Sequence, residues 1–215
     1  MIKILDIFRK KPQVIPSTEP IANFEGVKLE RGKSYVVKET RSDSAYHIFV
    51  SIIRSACAEC SHLETFPCES IGCELCTLSC SCKKCIYSRA QGVCFTTRSP
   101  VEIREKYLIQ TTPIFWISKH GPESVNPADL EIMAGRINDF FKRSKNPVVM
   151  LDGIEYLVIT NGFIPVLKFL HDIREMVILK KAIFILPLCP ATFDDRENAL
   201  IQKICDDIDS KTVSL

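Results

Sequence analysis

Residues 147–154 read PVVMLDGI. A proline opens the run, four apolar residues follow without a break, and Asp152-Gly153 closes it. Apolar residues at consecutive rather than alternate positions are what a strand needs when both of its faces are covered, as in a parallel sheet. The Asp-Gly pair suits a strand end that turns into a helix. Downstream, FIPVLKFLHDIREMVILKK (163–181) has the spacing of a long amphipathic helix, and AIFILPL (182–188) is a second unbroken apolar run. Upstream, PADLEIMAGRINDFFKRS (127–144) reads as a helix with Asn126 as its N-cap and basic residues in its last turn.

The same alternation extends in both directions. SYVVKE (34–39), GVCFTT (92–97) and PIFWIS (113–118) read as strands. SAYHIFVSIIRS (44–55) and VEIREKY (101–107), the latter opened by Pro100, read as helices, and DDRENALIQKICDDI (194–208) reads as a closing helix. Short apolar strands alternating with helices predict an α/β fold: a mainly parallel five-stranded sheet with helices on both faces. In such sheets ligands bind outside the carboxyl ends of the strands. Those ends carry Glu39-Thr40-Arg41, Thr96-Thr97-Arg98, Ser118-Lys119-His120, Asp152-Gly153 and Pro190-Ala191-Thr192. Arg41, Arg98 and Asp152 are the candidate anion or nucleotide pocket, with Arg104 as a second cation beside Arg98. The plainer alternative pairs Arg98 with a carboxylate such as Asp152. Glu155 is read as a helix cap, His171 as a helix residue that packs locally, and Trp116 as core.

Composition sets the outer limits. The chain has 215 residues, 46% hydrophobic and 25% charged, with a net charge of +2. That balance suits one globular domain and gives no global field for nucleic acid or anionic membrane. No apolar run reaches the roughly 18 residues of a membrane span. The opening MIKILDIFRKK is too short and too charged for a secretory signal. Residues 1–10 place Ile2, Ile4, Leu5 and Phe8 between polar neighbours, the pattern of an amphipathic helix that docks on its own domain or a partner, or that anchors weakly at a membrane surface. Residues 11–23 carry three prolines and read as linker. The expected organisation is residues 1–23 as helix and linker, 24–56 with 89–215 as the α/β domain, and 57–88 as an insertion.

That insertion holds eight of the eleven cysteines, in CAECSHLETFPCESIGCELCTLSCSCKKC (57–85). Cys57 and Cys60, Cys73 and Cys76, and Cys82 and Cys85 form C-x-x-C knuckles, while Cys68 and Cys80 stand singly. Each knuckle can place two thiolates on one ion, so the eight fit two closed four-thiolate sites. Zinc is the expected metal, and an iron–sulfur cluster is the alternative, although the spacing matches neither ferredoxin pattern. A disulfide framework fits less well, because the remaining Cys94, Cys189 and Cys205 lie in apolar segments and no export signal is present. His62 is a substitute ligand at most. A closed shell is structural rather than catalytic, and would supply on the order of 10 kcal/mol of folding free energy per site to a segment poor in apolar residues. The expected use is a protein-docking surface in a cytoplasmic protein. A nucleic-acid surface is not expected, since the stretch has no basic patch with interleaved aromatics.

The segments TTRSPVEIREKY (96–107), TTPIFWIS (111–118), VVMLDGIEYLVITNGF (148–163) and VLKFLHDIRE (166–175) resemble the archaeal family called domain of unknown function 835. The resemblance spans about residues 27–205 outside the cysteine stretch. It implies that the stretch opens a loop which in relatives runs straight on, and it implies a setting beside sensory and signalling domains. The order of elements is also similar to a RecA- or KaiC-type ATPase core, in which the first strand leads to a phosphate loop and a later strand ends in an acid, here Asp152. The segment after the first strand is ETRSDSAYHIFV (39–50), with no glycine and no Lys-hydroxyl pair. Without glycine the backbone cannot close around phosphates, and without the lysine the terminal phosphates lack their cation. The resulting expectation is a regulatory or interaction module on a degenerate RecA-like core. A nucleotide-binding or weak ATPase domain and an iron–sulfur redox protein are the alternatives.

Overall fold

The computed structural model describes residues 29–54, 90–109, 111–121 and 123–208. The eight clustered cysteines, His62 and residues 1–28 lie outside the described residues, so the expected metal sites and N-terminal helix do too.

The chain runs β1 (Lys33–Lys38), α1 (Asp43–Arg54), β2 (Gln91–Thr96), α2 (Pro100–Tyr107), β3 (Ile114–Ile117), β4 (Ser124–Val125), α3 (Leu130–Arg143), β5 (Pro147–Asp152), α4 (Ile154–Asn161), α5 (Phe163–Lys180), β6 (Ile183–Leu188), a 3-10 turn (Pro190–Thr192), α6 (Asp195–Gln202) and β7 (Asp206–Ile208). The strands form one sheet in the order β4-β3-β2-β5-β6-β1-β7, and every pairing is parallel. The sheet therefore has seven strands where five were expected. The two additions are both edges, β4 of two residues and β7 of three, too short to show an apolar period in sequence. β7 also corrects the closing helix expected over 194–208. That helix ends at Gln202, and Asp206–Ile208 pairs with Tyr35–Val37. Lys33 reaches Asp206 at 3.4 Å and Lys38 reaches Asp207 at 2.8 Å, so charge lines this open edge and discourages further pairing. The run at 147–154 also divides: the strand stops at Asp152 and a helix, α4, starts at Ile154, as the Asp-Gly pair suggested.

Both faces are covered, as the unbroken apolar runs required. On one face Val36, Phe184 and Leu186 join Ile137, Phe169 and Ile201 under α3, α4, α5 and α6. On the other, Tyr35, Val37, Ile183 and Ile185 join Phe49, Ile53 and Ile103 under α1 and α2. Neighbouring strand residues thus feed opposite cores, the period-two rule applied with apolar residues at both phases. Pro187 sits in central β6 without breaking a ladder. Leu188 faces β1 through its carbonyl, so Pro187 faces β5, and the pairing with β5 has already ended at Ile185.

Two glycines fix close approaches. At Gly92 a Cβ would stand 2.7 Å from Phe49 Cζ and 2.8 Å from Ile53 Cγ2, so the end of α1 lies directly on the start of β2. Gly153 has φ +120°, and a Cβ there would stand 2.4 Å from Thr97 Cγ2.

Candidate functional site

In a sheet with every strand parallel, all helix N-termini that follow strands gather at the carboxyl edge, where partial positive charge and polar loops concentrate. The carboxyl edge is accordingly the candidate site, and its carboxylates show how it is built.

Glu39 follows β1, and its two oxygens accept the backbone N–H groups of Ser44 and Ala45, each at 2.9 Å. These are donors of the first turn of α1, which no intrahelical carbonyl can reach. Burial pushes the Glu39 carboxyl up from its ordinary value, against the pull of those N–H groups. The chain's own side chain thereby fills the place at the helix N-terminus where a phosphate loop would hold an anion.

Asp152 ends β5 and is only 6% exposed. Oδ1 accepts Ser42 Oγ–H at 2.6 Å; Oδ2 accepts the Tyr46 hydroxyl at 2.9 Å and the Thr96 hydroxyl at 3.0 Å. Thr96 Oγ1 in turn accepts the Arg98 N–H at 3.0 Å, and the Cys94 thiol donates weakly to the Tyr46 oxygen at 3.8 Å. Burial first, then Cys94 and Asp152, push the Tyr46 hydroxyl far up, so it stays a neutral donor at any working pH. Burial likewise pushes the Cys94 thiol up, away from the thiolate form that reacts.

Arg98 does not pair with Asp152. Its guanidinium bonds Glu102, lies 3.7 Å from Asp43, and stands 5.6 Å from the centre of the Tyr46 ring. Tyr46 and Tyr107 stack at 4.6 Å with an 11° tilt. Asp43 also accepts Lys106 Nζ at 2.7 Å and the Tyr107 hydroxyl at 2.6 Å. Burial raises the Asp43 carboxyl, but the hydrogen bonds from Lys106 and Tyr107 outweigh it and leave it below its ordinary value. Glu155 accepts the Cys189 N–H at 2.8 Å and so straps α4 to the end of β6 instead of capping its own helix.

The structure brings Asp152, Thr96, Glu39 and the loop carrying Arg41 to one edge, as expected. Arg41 is exposed there, and its carbonyl accepts the Asp43 N–H. Arg104 belongs elsewhere. It bonds the carbonyls of Ile109 and Thr112, in the loop entering β3, rather than joining Arg98. Ser118 Oγ accepts the His120 N–H within a surface loop, Thr192 closes the 3-10 turn onto the Cys189 carbonyl, and His171 is exposed on α5. Trp116 is half-buried and donates Nε1–H to the Thr97 carbonyl at 3.1 Å. Sequence reasoning missed Ser42, Asp43, Tyr46 and Tyr107. The available signal was a tyrosine on the apolar stripe of α1, whose hydroxyl needs a buried acceptor.

Among the described residues, no group of three or more His, Cys, Asp or Glu side chains is placed to hold a metal. The three cysteines that are described, Cys94, Cys189 and Cys205, are free thiols. Cys94 and Cys205 are buried, as expected for small apolar residues, and burial pushes Cys205 up to about 12. Residues 80–205 match the family described as "Protein of unknown function (DUF835)". That span begins inside the cysteine stretch, later than the expected start near residue 27, and leaves β1 and α1 outside it. No curated protein matches the chain.

Proposed function

The chain belongs to the DUF835 family, and from that premise we propose a non-catalytic regulatory module that binds another protein, built on a degenerate RecA-like core. The observation that carries this reading is that the carboxylates of the candidate edge serve as internal ties. Glu39 holds α1, Asp43 joins α1 to α2, Asp152 joins β5 to β2 and α1, and Glu155 joins α4 to β6. The loop after β1 lies beside the acid that ends β5, an arrangement similar to an ATPase core. Here, however, the acid's oxygens are spent on three hydroxyls, and the helix N-terminus is spent on Glu39. The candidate pocket of Arg41, Arg98 and Asp152 is the residue set an altered nucleotide site would use.

The second half of the proposal is the cysteine stretch. Cys57, Cys60, Cys68, Cys73, Cys76, Cys80, Cys82 and Cys85 supply the thiolates for two zinc ions, and the folded insertion presents the docking surface. The connection that holds them runs from α1 to β2, residues 55–90, whereas the other helix-to-strand connections into β3, β5, β6 and β7 run 108–113, 144–146, 181–182 and 203–205. Ile53 packed on Gly92 means that the insertion leaves and returns at one point, so a long loop there costs the domain little.

Metal analysis of anaerobically purified protein, together with melting in the presence of Mg-ATP, tests the proposal. A colourless protein with two equivalents of zinc and no nucleotide shift supports it. Visible absorption with bound iron and sulfide would replace it with the redox reading. A nucleotide-dependent rise in melting temperature that Asp152→Asn abolishes would replace it with the nucleotide reading.

A further inference from the structure

The net charge of +2 conceals a separation of charge along the strand direction. Helix first turns at the carboxyl edge carry Glu102, Glu131, Glu155, Asp195 and Glu197. The opposite, amino edge carries cations where helices end and strands begin: Lys142 and Arg143 at the end of α3, Lys145 before β5, Lys180 and Lys181 before β6, and Arg31 before β1. All six are exposed; the edge also carries Glu30 and Asp206, both paired with Lys33, and Lys142 pairs with Asp139, so the cations are in excess there rather than alone. The separation follows in part from the fold: α3, α5 and α6 run from the carboxyl edge to the amino edge and side-chain charge compensates their dipoles, whereas α2 and α4 also end near the carboxyl edge, where Lys106 bonds Asp43 and Asn161 bonds the Pro127 carbonyl.

Dipole compensation accounts for the cations. It does not account for Leu179, 81% exposed, or Ile178, 52% exposed, which stand immediately before Lys180 and Lys181. The chain also enters the domain at this edge. The Gly32 N–H bonds the Ala182 carbonyl, so the residues immediately before β1 lie beside the end of α5.

We propose that the amino edge is a docking surface for an anionic lipid membrane, with Ile178 and Leu179 entering the headgroup layer and the surrounding lysines and arginines facing lipid phosphates. Charge complementarity selects the occupant. A cationic edge with an acidic edge behind it orients the whole molecule toward a negative surface before contact, and an apolar pair adjoining lysines matches the layered chemistry of a bilayer interface. A polyanion such as nucleic acid would use the cations but not the apolar pair. This surface is independent of the metal reading and stands or falls separately.

Full-length protein is sedimented with vesicles of phosphatidylcholine alone and of phosphatidylcholine with phosphatidylglycerol, at low and at physiological salt. Binding is expected only to the anionic vesicles and to weaken as salt rises. Lys180→Ala with Lys181→Ala is expected to lower partitioning about 25-fold, roughly fivefold per cation, and Leu179→Glu about tenfold or more. These side chains are exposed, and an unchanged circular dichroism melt shows that the fold is intact. Ile4→Glu with Phe8→Glu tests the first ten residues. If that pair abolishes binding while the α5 variants bind normally, the surface is wrongly assigned. Equal binding to neutral vesicles, no binding to anionic ones, or binding to a DNA duplex that needs the lysines but not Leu179, would each overturn the proposal.

Discussion

The two edges of this sheet use charge in opposite ways. At the carboxyl edge, Glu39, Asp43, Asp152 and Glu155 turn inward and each ties two elements together, while Glu131 and Asp195 stay exposed. At the amino edge, cations and two aliphatic side chains stand in solvent, and the two long segments, 1–28 and 55–89, attach there. In most sheets of this kind the carboxyl edge is the working side. Here the acids that end its strands are bonded to its own side chains, while exposed apolar residues stand on both sides, Val101, Ile132 and Ile159 towards the carboxyl edge and Ile178 and Leu179 at the amino edge.

The largest test of that contrast is metal removal. On the proposed reading, chelation costs the cysteine insertion on the order of 10 kcal/mol per site and unfolds it. The carboxyl edge should not register the loss. Trp116, the single tryptophan, is bonded to Thr97 there, so its fluorescence and melting are expected to stay unchanged. A large shift in Trp116 melting on chelation would show that the edges are coupled.

Next in size is Gly153→Ala. It forces a Cβ into Thr97 at a backbone angle that L-residues avoid, and chemical denaturation should show a loss of about 3 kcal/mol. Asp152→Ala should come close behind at about 2–3 kcal/mol, because it strips the acceptor from three hydroxyls, two of them buried. If Asp152 instead served a bound metal or nucleotide, its removal would relieve strain and raise the melting temperature of the ligand-free protein.

The smallest effects are the most diagnostic, because two carboxylates a few residues apart should carry opposite pH signs. The Glu39 carboxyl is raised by burial, so the folded state holds its proton above the ordinary range. Stability is therefore expected to fall as pH rises from the ordinary glutamate value through the raised one, and Glu39→Gln should remove that slope. The Asp43 carboxyl is lowered, so its contribution is present above the ordinary aspartate value and is lost as pH falls through the lowered one. Asp43→Asn should flatten the acid limb of melting temperature against pH. Equal slopes for both variants would mean that the carboxyl edge is not held together by these ties.

The legible parts of the fold were those written as local pattern. Unbroken apolar runs gave the covered central strands, and the connection opened by the cysteines was visible as composition. β4 and β7 were not legible, because two or three residues paired at an edge depend on their neighbour rather than on their own period. Asp206 and Asp207 even read as the polar end of a helix. At the candidate site, Asp152 and Arg98 were found from strand ends, but their partners were not. Arg98 takes Glu102, one helical turn on, and Asp43 from another element. Whether a charge turns inward depends on distances between elements far apart in sequence, such as Ser42 and Asp152, which no spacing encodes.

The place of β1 has a practical consequence for anyone handling pieces of this chain. It lies inside the sheet, between β6 and β7, yet it precedes the stretch that matches the family. A fragment cut to that stretch would bare the Ile183–Leu188 flank, six residues of open backbone with apolar side chains on either side. Such a flank recruits whatever strand is nearest, so the fragment should precipitate or pair with its own copies, and the smallest soluble unit has to begin upstream of Lys33.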